Sequence, residues 1–354
     1  MEIVTFVNFS AIIICLIGRL LHQEKISFQF VIIVLILFYS IRTEYGNDVP
    51  AYMYYFEQLS YYSFETFSLI DKEWEPGWLL LNVLFAPFGW QAFITFLTIV
   101  QFITIYWMIT KYSSRKDYWV IFALYILSSN LLLTDLSMLR QALAMHVCVW
   151  SISSILKKKI LKAIIIIILF ATTIHTSAYI AFLLLLIPYI SKINRCAVIA
   201  GFIGVFILIN IIVSVYSNIF SIIFSLATFE KYEGYTADKA NSGTGLWVLF
   251  QALTCVWMLY KYPHKLSNLF FIISQSLYTL ILPLNAFAPL ITRVGMYFNL
   301  IGIISFKNLL NIKRDIVGFM LLIITLLMSI RGYFSFFENP VWKDSFSVYR
   351  TVFD

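Results

Sequence analysis

The chain has 354 residues, of which 61% are hydrophobic and only 12% are charged, with a formal net charge of +7. Soluble globular domains have about a quarter of their residues charged, so this composition excludes a soluble protein and indicates one that crosses a membrane repeatedly. No polar stretch is long enough for an appended soluble module. We therefore predict a single integral membrane domain over residues 1–354.

Apolar stretches approaching the roughly 20 residues of a membrane-spanning helix recur along the chain. They predict an all-α polytopic fold with about twelve transmembrane helices, at 3–18, 26–41, 90–110, 118–133, 137–156, 160–174, 176–190, 196–214, 245–262, 266–285, 291–306 and 315–331. The first stretch lacks the basic region and cleavage site of a signal peptide, so we expect a retained helix. Residues 76–88 are apolar but broken by prolines, and we predict a re-entrant or interfacial segment there.

Basic residues are concentrated in alternate loops, which orients the predicted bundle. Lys and Arg number 16 and Asp and Glu only three in the loops 19–25, 111–117, 157–162, 191–195, 261–265 and 307–315. The rest of the chain holds nine basic and 15 acidic residues. The positive-inside rule makes these loops cytoplasmic and puts both termini outside. The net charge thus predicts contact with membrane lipids and no nucleic acid.

Two longer outer loops are predicted, at about 42–75 and 215–244. The first is rich in acids and tyrosines, which suits contact with carbohydrate or lipid headgroups, although an interfacial aromatic belt explains the same composition. It has no DxD motif, and two acids around a tryptophan, as in Glu73 and Glu75 around Trp74, are commonly only a solvated turn. Cys15, Cys148, Cys196 and Cys255 lie in apolar spans without metal-ligand spacing. We expect no metal and no cofactor.

Arg140 and His175 each interrupt apolar sequence, where an ionisable side chain costs at least ~2.5–3.5 kcal/mol. Asp135 lies about 140° around the helix from Arg140, so no in-helix salt bridge is available. The small and polar residues Ser137, Gln141, Ala144, Cys148 and Ser151 predict that this face points into the bundle, although Arg140 could instead extend to the headgroups.

His175 falls in a 28-residue apolar run between two basic loops, which must hold two short crossings. The turn Ile174-His175-Thr176-Ser177 should therefore lie below the outer surface in a protein-lined recess. His175 could serve there as an acid or base, or it could simply cap the hairpin backbone.

Arg293 stands near the start of another apolar span, one helical turn before Tyr297, and either reaches the headgroups or joins the same outer face. Arg42, Arg140, Arg293 and His175 are then all expected at that face, beside Asp48 and Glu75. Arginine suits bidentate capture of phosphate, and a carboxylate or imidazole can take a proton from an attacking hydroxyl. This combination favours glycosyl transfer from a lipid pyrophosphate.

Several short motifs resemble the EpsG-like branch of the Wzy-type O-antigen and capsular polysaccharide polymerases. The resemblance covers most of the chain and is carried, in chain order, by Arg42 with Gly46-Asn47-Asp48 and Tyr52, Glu75-Pro76-Gly77-Trp78, Leu139-Arg140-Gln141-Ala142-Leu143-Ala144, Ile174-His175-Thr176-Ser177-Ala178 and Arg293 before Tyr297. Where relatives often have His-Pro-Ser, this chain has His175-Thr176-Ser177.

The resemblance implies a glycosyltransferase of the bacterial cytoplasmic membrane that joins undecaprenyl-pyrophosphate-linked repeat units on the outer face. A flippase and a chain-length regulator are its expected partners. We expect Arg140, Arg293 and Arg42 to bind the pyrophosphate and His175, Asp48 or Glu75 to act as the base. Further substrate contacts are expected from Tyr52, Gln141, Ser177 and Tyr297.

Two other classes of protein fit the same composition. A flippase or transporter would also bury cations, but it would tend to show inverted repeats, and no internal repeat is detectable. A polytopic transferase using a sugar on a polyprenyl monophosphate would share the fold character, and metal dependence at a carboxylate pair would favour it.

Overall fold

The computed structural model describes residues 1–62, 74–226, 245–286, 289–313 and 315–354. Within these ranges the chain is helical apart from short turns and one antiparallel bridge between Arg42 and Thr351. The α-helices are α1 (Glu2–Leu20), α2 (Glu24–Ser40), α3 (Val49–Leu59), α4 (Pro76–Phe85), α5 (Gly89–Tyr112), α6 (Tyr118–Leu127), α7 (Leu132–Ser137), α8 (Leu139–Leu156), α9 (Ile160–Ile165), α10 (Ile187–Ile190), α11 (Arg195–Leu226), α12 (Leu246–Lys261), α13 (Leu266–Ile281), α14 (Pro289–Gly302), α15 (Ile316–Glu338) and α16 (Pro340–Lys343). The π-helix Ile166–Thr172 continues α9. The 3-10 segments are Ala86–Phe88, Arg115–Asp117, Thr176–Leu186, Leu282–Ala286 and Ile303–Leu310.

Six helical stretches of the described chain are long and apolar enough to cross a bilayer: Glu2–Leu20, Pro76–Tyr112, Leu139–Leu156, Arg195–Val215, Leu266–Asn285 and Ile316–Glu338. Their burial differs widely, since 78% of the Leu139–Leu156 window is buried inside the protein but only 11% of the Arg195–Val215 window. Apolar residues exposed along a whole helix need lipid around them, whereas a buried apolar helix belongs to the interior. The chain is an all-α membrane protein, with α8 as a central helix.

Several boundaries differ from the sequence prediction. The span predicted at 118–133 is broken, because α6 ends at Leu127 and α7 begins only at Leu132. The predicted outer loop 215–244 starts as helix, since α11 extends to Leu226, and residues 227–244 lie outside the described part. The other outer loop contains α3, which starts after Asp48 with Pro50 in its first turn, a standard helix-start signal that the polar surroundings obscured.

The predicted break between residues 76–88 and the next span is confirmed. Gly89 has φ +80°, a backbone conformation that residues with a Cβ rarely adopt, and Pro87 lies in the 3-10 turn just before it. The chain therefore bends between α4 and α5, so the two helices need not share one axis.

The chain divides into two compact units, Met1–Tyr179 with Ile323–Asp354, and Ile180–Leu322. In the first unit, the C-terminal segment pairs with the start of the first outer loop. The Thr43 N–H donates to Arg350 O at 3.1 Å, and the Met1 amine donates to Ser347 O at 2.6 Å. The start of α1, the end of α2 and the C-terminal segment therefore lie at one end of this unit.

Candidate functional site

Glu75 is the centre of a charged cluster in the first unit, and both of its carboxylate oxygens are occupied. Oε2 accepts a hydrogen bond from Arg140 Nη1 at 2.7 Å. Oε1 accepts from the Thr176 backbone N–H at 2.8 Å and lies 3.1 Å from His175 Nδ1. The Thr176 hydroxyl adds a longer contact of 3.2 Å to the same oxygen. Three motifs that are far apart in sequence thus meet at one carboxylate.

Arg140 is held by aromatic rings as well as by Glu75. It lies in the first turn of α8, and its guanidinium carbon is 4.5 Å from the centre of the Trp74 ring and 5.9 Å from that of Tyr52. Cation–π contacts of this kind are worth about 0.5–2 kcal/mol. The prediction that Arg140 faces the protein is supported, since 80% of its side chain is buried, and its partner is Glu75 rather than Asp135.

His175 lies in a turn between two helical segments, as predicted. The π-helix Ile166–Thr172 ends just before it, and the 3-10 segment begins at Thr176. The His175 N–H donates to Ala171 O at 3.0 Å, so the residue does help to close the turn. Its ring nevertheless turns towards Glu75 and stays about a quarter exposed. A π-turn within a helix is often associated with a functional site.

Gly77 fixes the turn that contains Thr173 and His175 against the start of α4. Its N–H donates to Thr173 O at 2.7 Å, and the Trp78 N–H reaches the same oxygen at 3.3 Å. These N–H groups would otherwise have no partner at the first turn of a helix. A Cβ on Gly77 would lie 2.8 Å from Thr173 O and 3.0 Å from its carbonyl carbon, so only glycine allows this approach.

The charge of Glu75 is determined by its hydrogen bonds and by the neighbouring Arg140. Burial alone raises the pKa of Glu75, but the hydrogen bonds from His175 and Thr176 and the charge of Arg140 outweigh it and hold that pKa at about 2. Glu75 is therefore ionised at physiological pH and is a weak base. Because an ionised carboxylate only accepts, the His175 Nδ1–H donates to it, and Nε2 is the ring nitrogen that does not contact Glu75.

Four other predicted residues lie near the members of this cluster in space or in sequence. Tyr52 is buried and makes edge-to-face contacts of 5.5 Å with Trp74 and Trp78. Asp48 precedes α3, is half-buried, and its N–H donates to Ser137 Oγ at 3.2 Å. Gln141 is buried beside Arg140 on α8, and Ser177, two residues after His175, is half-buried.

The remaining predicted arginines have other surroundings. Arg42 is only 1% exposed, and its Nη1 donates to Tyr39 O at 2.8 Å and to Thr98 Oγ1 at 3.0 Å, so it belongs to a separate buried group. Arg293 is half-buried and Tyr297 is buried, and both lie on α14 in the second unit.

Sequence reasoning did not assign a role to Thr176, Trp74 or His146. Thr176 and Trp74 are next to the predicted residues His175 and Glu75, and this adjacency is the sequence signal that could have identified them. His146 lies on α8 and pairs with Asp135 at 3.1 Å, which no spacing rule connects to it. The described residues contain no group of three or more His, Cys, Asp or Glu placed to hold a metal ion, and Glu73 lies outside those residues.

The fold and this cluster define a polytopic helical membrane protein with a paired arginine, carboxylate and histidine at one end of its first unit. The chain belongs to the EpsG family, a family of Wzy-like polymerases, whose model matches residues 25–351. No curated protein and no solved structure matches the chain. The family match covers every residue of the Glu75 cluster.

Proposed function

We propose that this protein is a polysaccharide polymerase, a glycosyltransferase that joins undecaprenyl-pyrophosphate-linked oligosaccharide repeat units. The observation that carries the proposal is Glu75 held between Arg140 and His175, because this places a permanent cation and a proton acceptor on opposite sides of one carboxylate. Membership of a family of Wzy-like polymerases supports the same reaction class.

Arg140 binds the pyrophosphate of the donor lipid in this proposal. A guanidinium has five N–H donors, of which Glu75 takes one through Nη1, and a fifth of the Arg140 side chain remains exposed. Trp74 and Glu75 hold the guanidinium in place before substrate arrives. A cation that is fixed beforehand stabilises the charge that develops on the leaving pyrophosphate without a further cost of reorganisation.

His175 is the base. A hydroxyl at the non-reducing end of an incoming repeat unit attacks the anomeric carbon of the donor chain, and its proton passes to His175 Nε2. The bond between that carbon and the pyrophosphate oxygen breaks, and the oxygen keeps the electron pair. Glu75 orients the imidazole through Nδ1 and stabilises the imidazolium that forms. The products are the extended chain on its lipid and undecaprenyl pyrophosphate.

We place this reaction at the outer face of the bacterial cytoplasmic membrane, in a bundle of about twelve crossings. The excess of basic residues in the loops 19–25, 111–117 and 157–162 supports this orientation. Loop 157–162 follows the end of α8 that is remote from Arg140 and precedes the helical segment that ends before His175. A flippase that delivers the repeat units and a chain-length regulator are the partners expected for such an enzyme.

The proposal is tested by deleting the gene in its host and profiling the surface glycan and the lipid-linked intermediates. We expect long chains to disappear while single repeat units remain on lipid and reach the outer face. Plasmid-borne R140A and H175N should fail to restore chain length although the proteins reach normal abundance. Repeat units trapped inside the cell would instead identify a flippase, and normal polymer length in both variants would refute the assigned roles.

Arg350→Ala is the matched control. Arg350 also pairs with a glutamate, Glu44, at 3.3 Å in the same unit, but its side chain is 62% exposed. An exposed ion pair contributes at most about 1 kcal/mol, so this variant should restore full chain length.

A further inference from the structure

A cluster of exposed lysines lies where α5 and α8 end in the first unit. We call Lys111, Lys157, Lys158 and Lys159 the lysine cluster. Lys111 Nζ donates to Ser153 Oγ at 3.2 Å, and the Lys157 N–H donates to Ser153 O at 3.2 Å. Both lysines are therefore held at Ser153, and their two positive charges repel each other.

The described chain does not offset this repulsion with a carboxylate. None of its ion pairs involves the lysine cluster. Asp117, the acid in the loops 111–117 and 157–162, is buried and accepts from the Ser114 N–H at 3.2 Å and from the Ser114 hydroxyl. It caps the short segment Arg115–Asp117 instead. Like charges held together without a counter-charge repel, so the cluster favours the binding of an anion.

The backbone at Lys158 points to a role for its side chain. The Lys158 N–H donates to Ile155 O at 2.9 Å and the Lys159 N–H to Ser154 O at 2.8 Å, which is the Schellman motif that ends many helices. Lys158 occupies the left-handed position of this motif, with φ +57°. Glycine is the usual residue at this position because a Cβ is unfavourable there. A lysine gives up that stability and adds a third charge to the cluster.

The lysine cluster lies at the edge of an exposed apolar surface. Lys111 Nζ is 4.2 Å from the centre of the Trp107 ring. Trp150, two turns before Lys157 in the chain, is 44% exposed, and Leu161, just after the cluster, is 72% exposed. Tryptophan and lysine beside exposed apolar residues are typical of the interface between a membrane and water. The cluster therefore faces lipid headgroups.

We propose that the lysine cluster is a binding site for the headgroup phosphate of an anionic phospholipid. The phosphate binds between Lys111 and Lys157 and also contacts Lys158, which removes the repulsion among the three charges. The acyl chains of the lipid lie along the exposed apolar surface at Trp150 and Leu161. The positive-inside rule requires only an excess of basic residues on one side of the membrane, whereas this site predicts saturable binding at the ends of two particular helices.

Native mass spectrometry of the purified full chain in a non-ionic detergent tests the site. We expect one tightly bound phosphatidylglycerol that neither phosphatidylcholine nor inorganic phosphate displaces. A lysine near a membrane surface contributes about five-fold to the affinity for anionic lipid, so K111Q/K157Q should bind phosphatidylglycerol about 25-fold more weakly. Lys25→Gln is the control, because Lys25 is also exposed in the first unit but lies on another loop, and it should bind as the native protein does. Unchanged affinity in the double variant, equal retention of phosphatidylcholine or displacement by inorganic phosphate would overturn the proposal.

Lys158→Gly separates the role of the side chain from that of the backbone. Glycine suits the left-handed position, so we expect an equal or higher melting temperature together with about five-fold weaker binding of phosphatidylglycerol. His22→Gly is the matched control, since His22 has φ +56° at the corresponding position after α1 and lies outside the cluster. It should change the melting temperature in the same direction and leave lipid binding unchanged. Full lipid affinity in K158G, or an equal loss in H22G, would contradict the assignment of Lys158 to the site.

Discussion

Gly77→Ala is the substitution that most directly tests how the turn at His175 is positioned. The added Cβ would lie 2.8 Å from Thr173 O, whereas ordinary contacts begin at 3.4 Å, so the turn has to retreat by about 0.6 Å. If it moves as a unit, the 3.1 Å contact between His175 and Glu75 lengthens to about 3.7 Å, beyond hydrogen-bonding distance. A misplacement near 1 Å costs on the order of 100-fold in rate. We therefore expect kcat to fall by about 10- to 100-fold while KM changes little.

The assay is chain extension by the purified protein with lipid-linked repeat units, with melting temperature measured in parallel. Overpacking of this kind costs about 1–3 kcal/mol, so a stable but slow enzyme is the expected outcome. Gly204→Ala is the control, because a Cβ there meets nothing within 4 Å on helix α11, and it should keep full activity. Unchanged kcat in Gly77→Ala, together with loss of activity in H175N, would refute the positioning argument and leave the role of His175 standing.

Two further predictions concern Glu75 and Trp74. The pKa of Glu75 lies below its ordinary value of 4.5, so its contribution to stability, about 2–3 kcal/mol at most after allowance for solvent screening, is complete above pH 4.5 and is lost as the pH falls towards 2. The difference in melting temperature between the native protein and E75Q should be constant from pH 8 to pH 5 and shrink below that, and a difference that persists at pH 2 would contradict this. Trp74→Ala removes the ring under Arg140 and should lower kcat/KM by about 2- to 30-fold, while Trp74→Phe keeps a ring and should lose less. Equal losses in both variants would argue against the cation–π contact.

Local rules predicted much of this site from the sequence. The length of the apolar run correctly predicted a turn at His175, which depends only on the rise of a helix over a few residues. Arg140 does not pair with Asp135, as expected, but the helix is interrupted at Met138 between the two residues, so rotation around one continuous helix is not the reason. The same reasoning identified the Glu75-Pro76-Gly77-Trp78 motif but could not say what Gly77 approaches.

Contacts between distant segments were beyond those rules. Glu75 meets Arg140 across 65 residues and His175 across 100, and no periodicity connects positions so far apart. For Arg42, the sequence suggested a more exposed position than the structure shows. Its place at the start of an outer loop suggested a surface role, but the C-terminal segment pairs with the backbone there, and the side chain is buried. This contact between the two ends of the chain is visible only in the folded structure.

The π-helix before His175 lets the chain absorb a change in length without moving that residue far. A π-turn contains one residue more than the α-helical turn it replaces, so the segment Ile166–Thr172 resembles a single-residue insertion into a regular helix. Deleting one residue there would restore a regular helix and leave the residues that follow facing nearly the same way. Deleting a second residue would find no π-turn to absorb it and would rotate everything that follows by about 100°. Thr173 would then face away from Gly77, and His175 would leave Glu75.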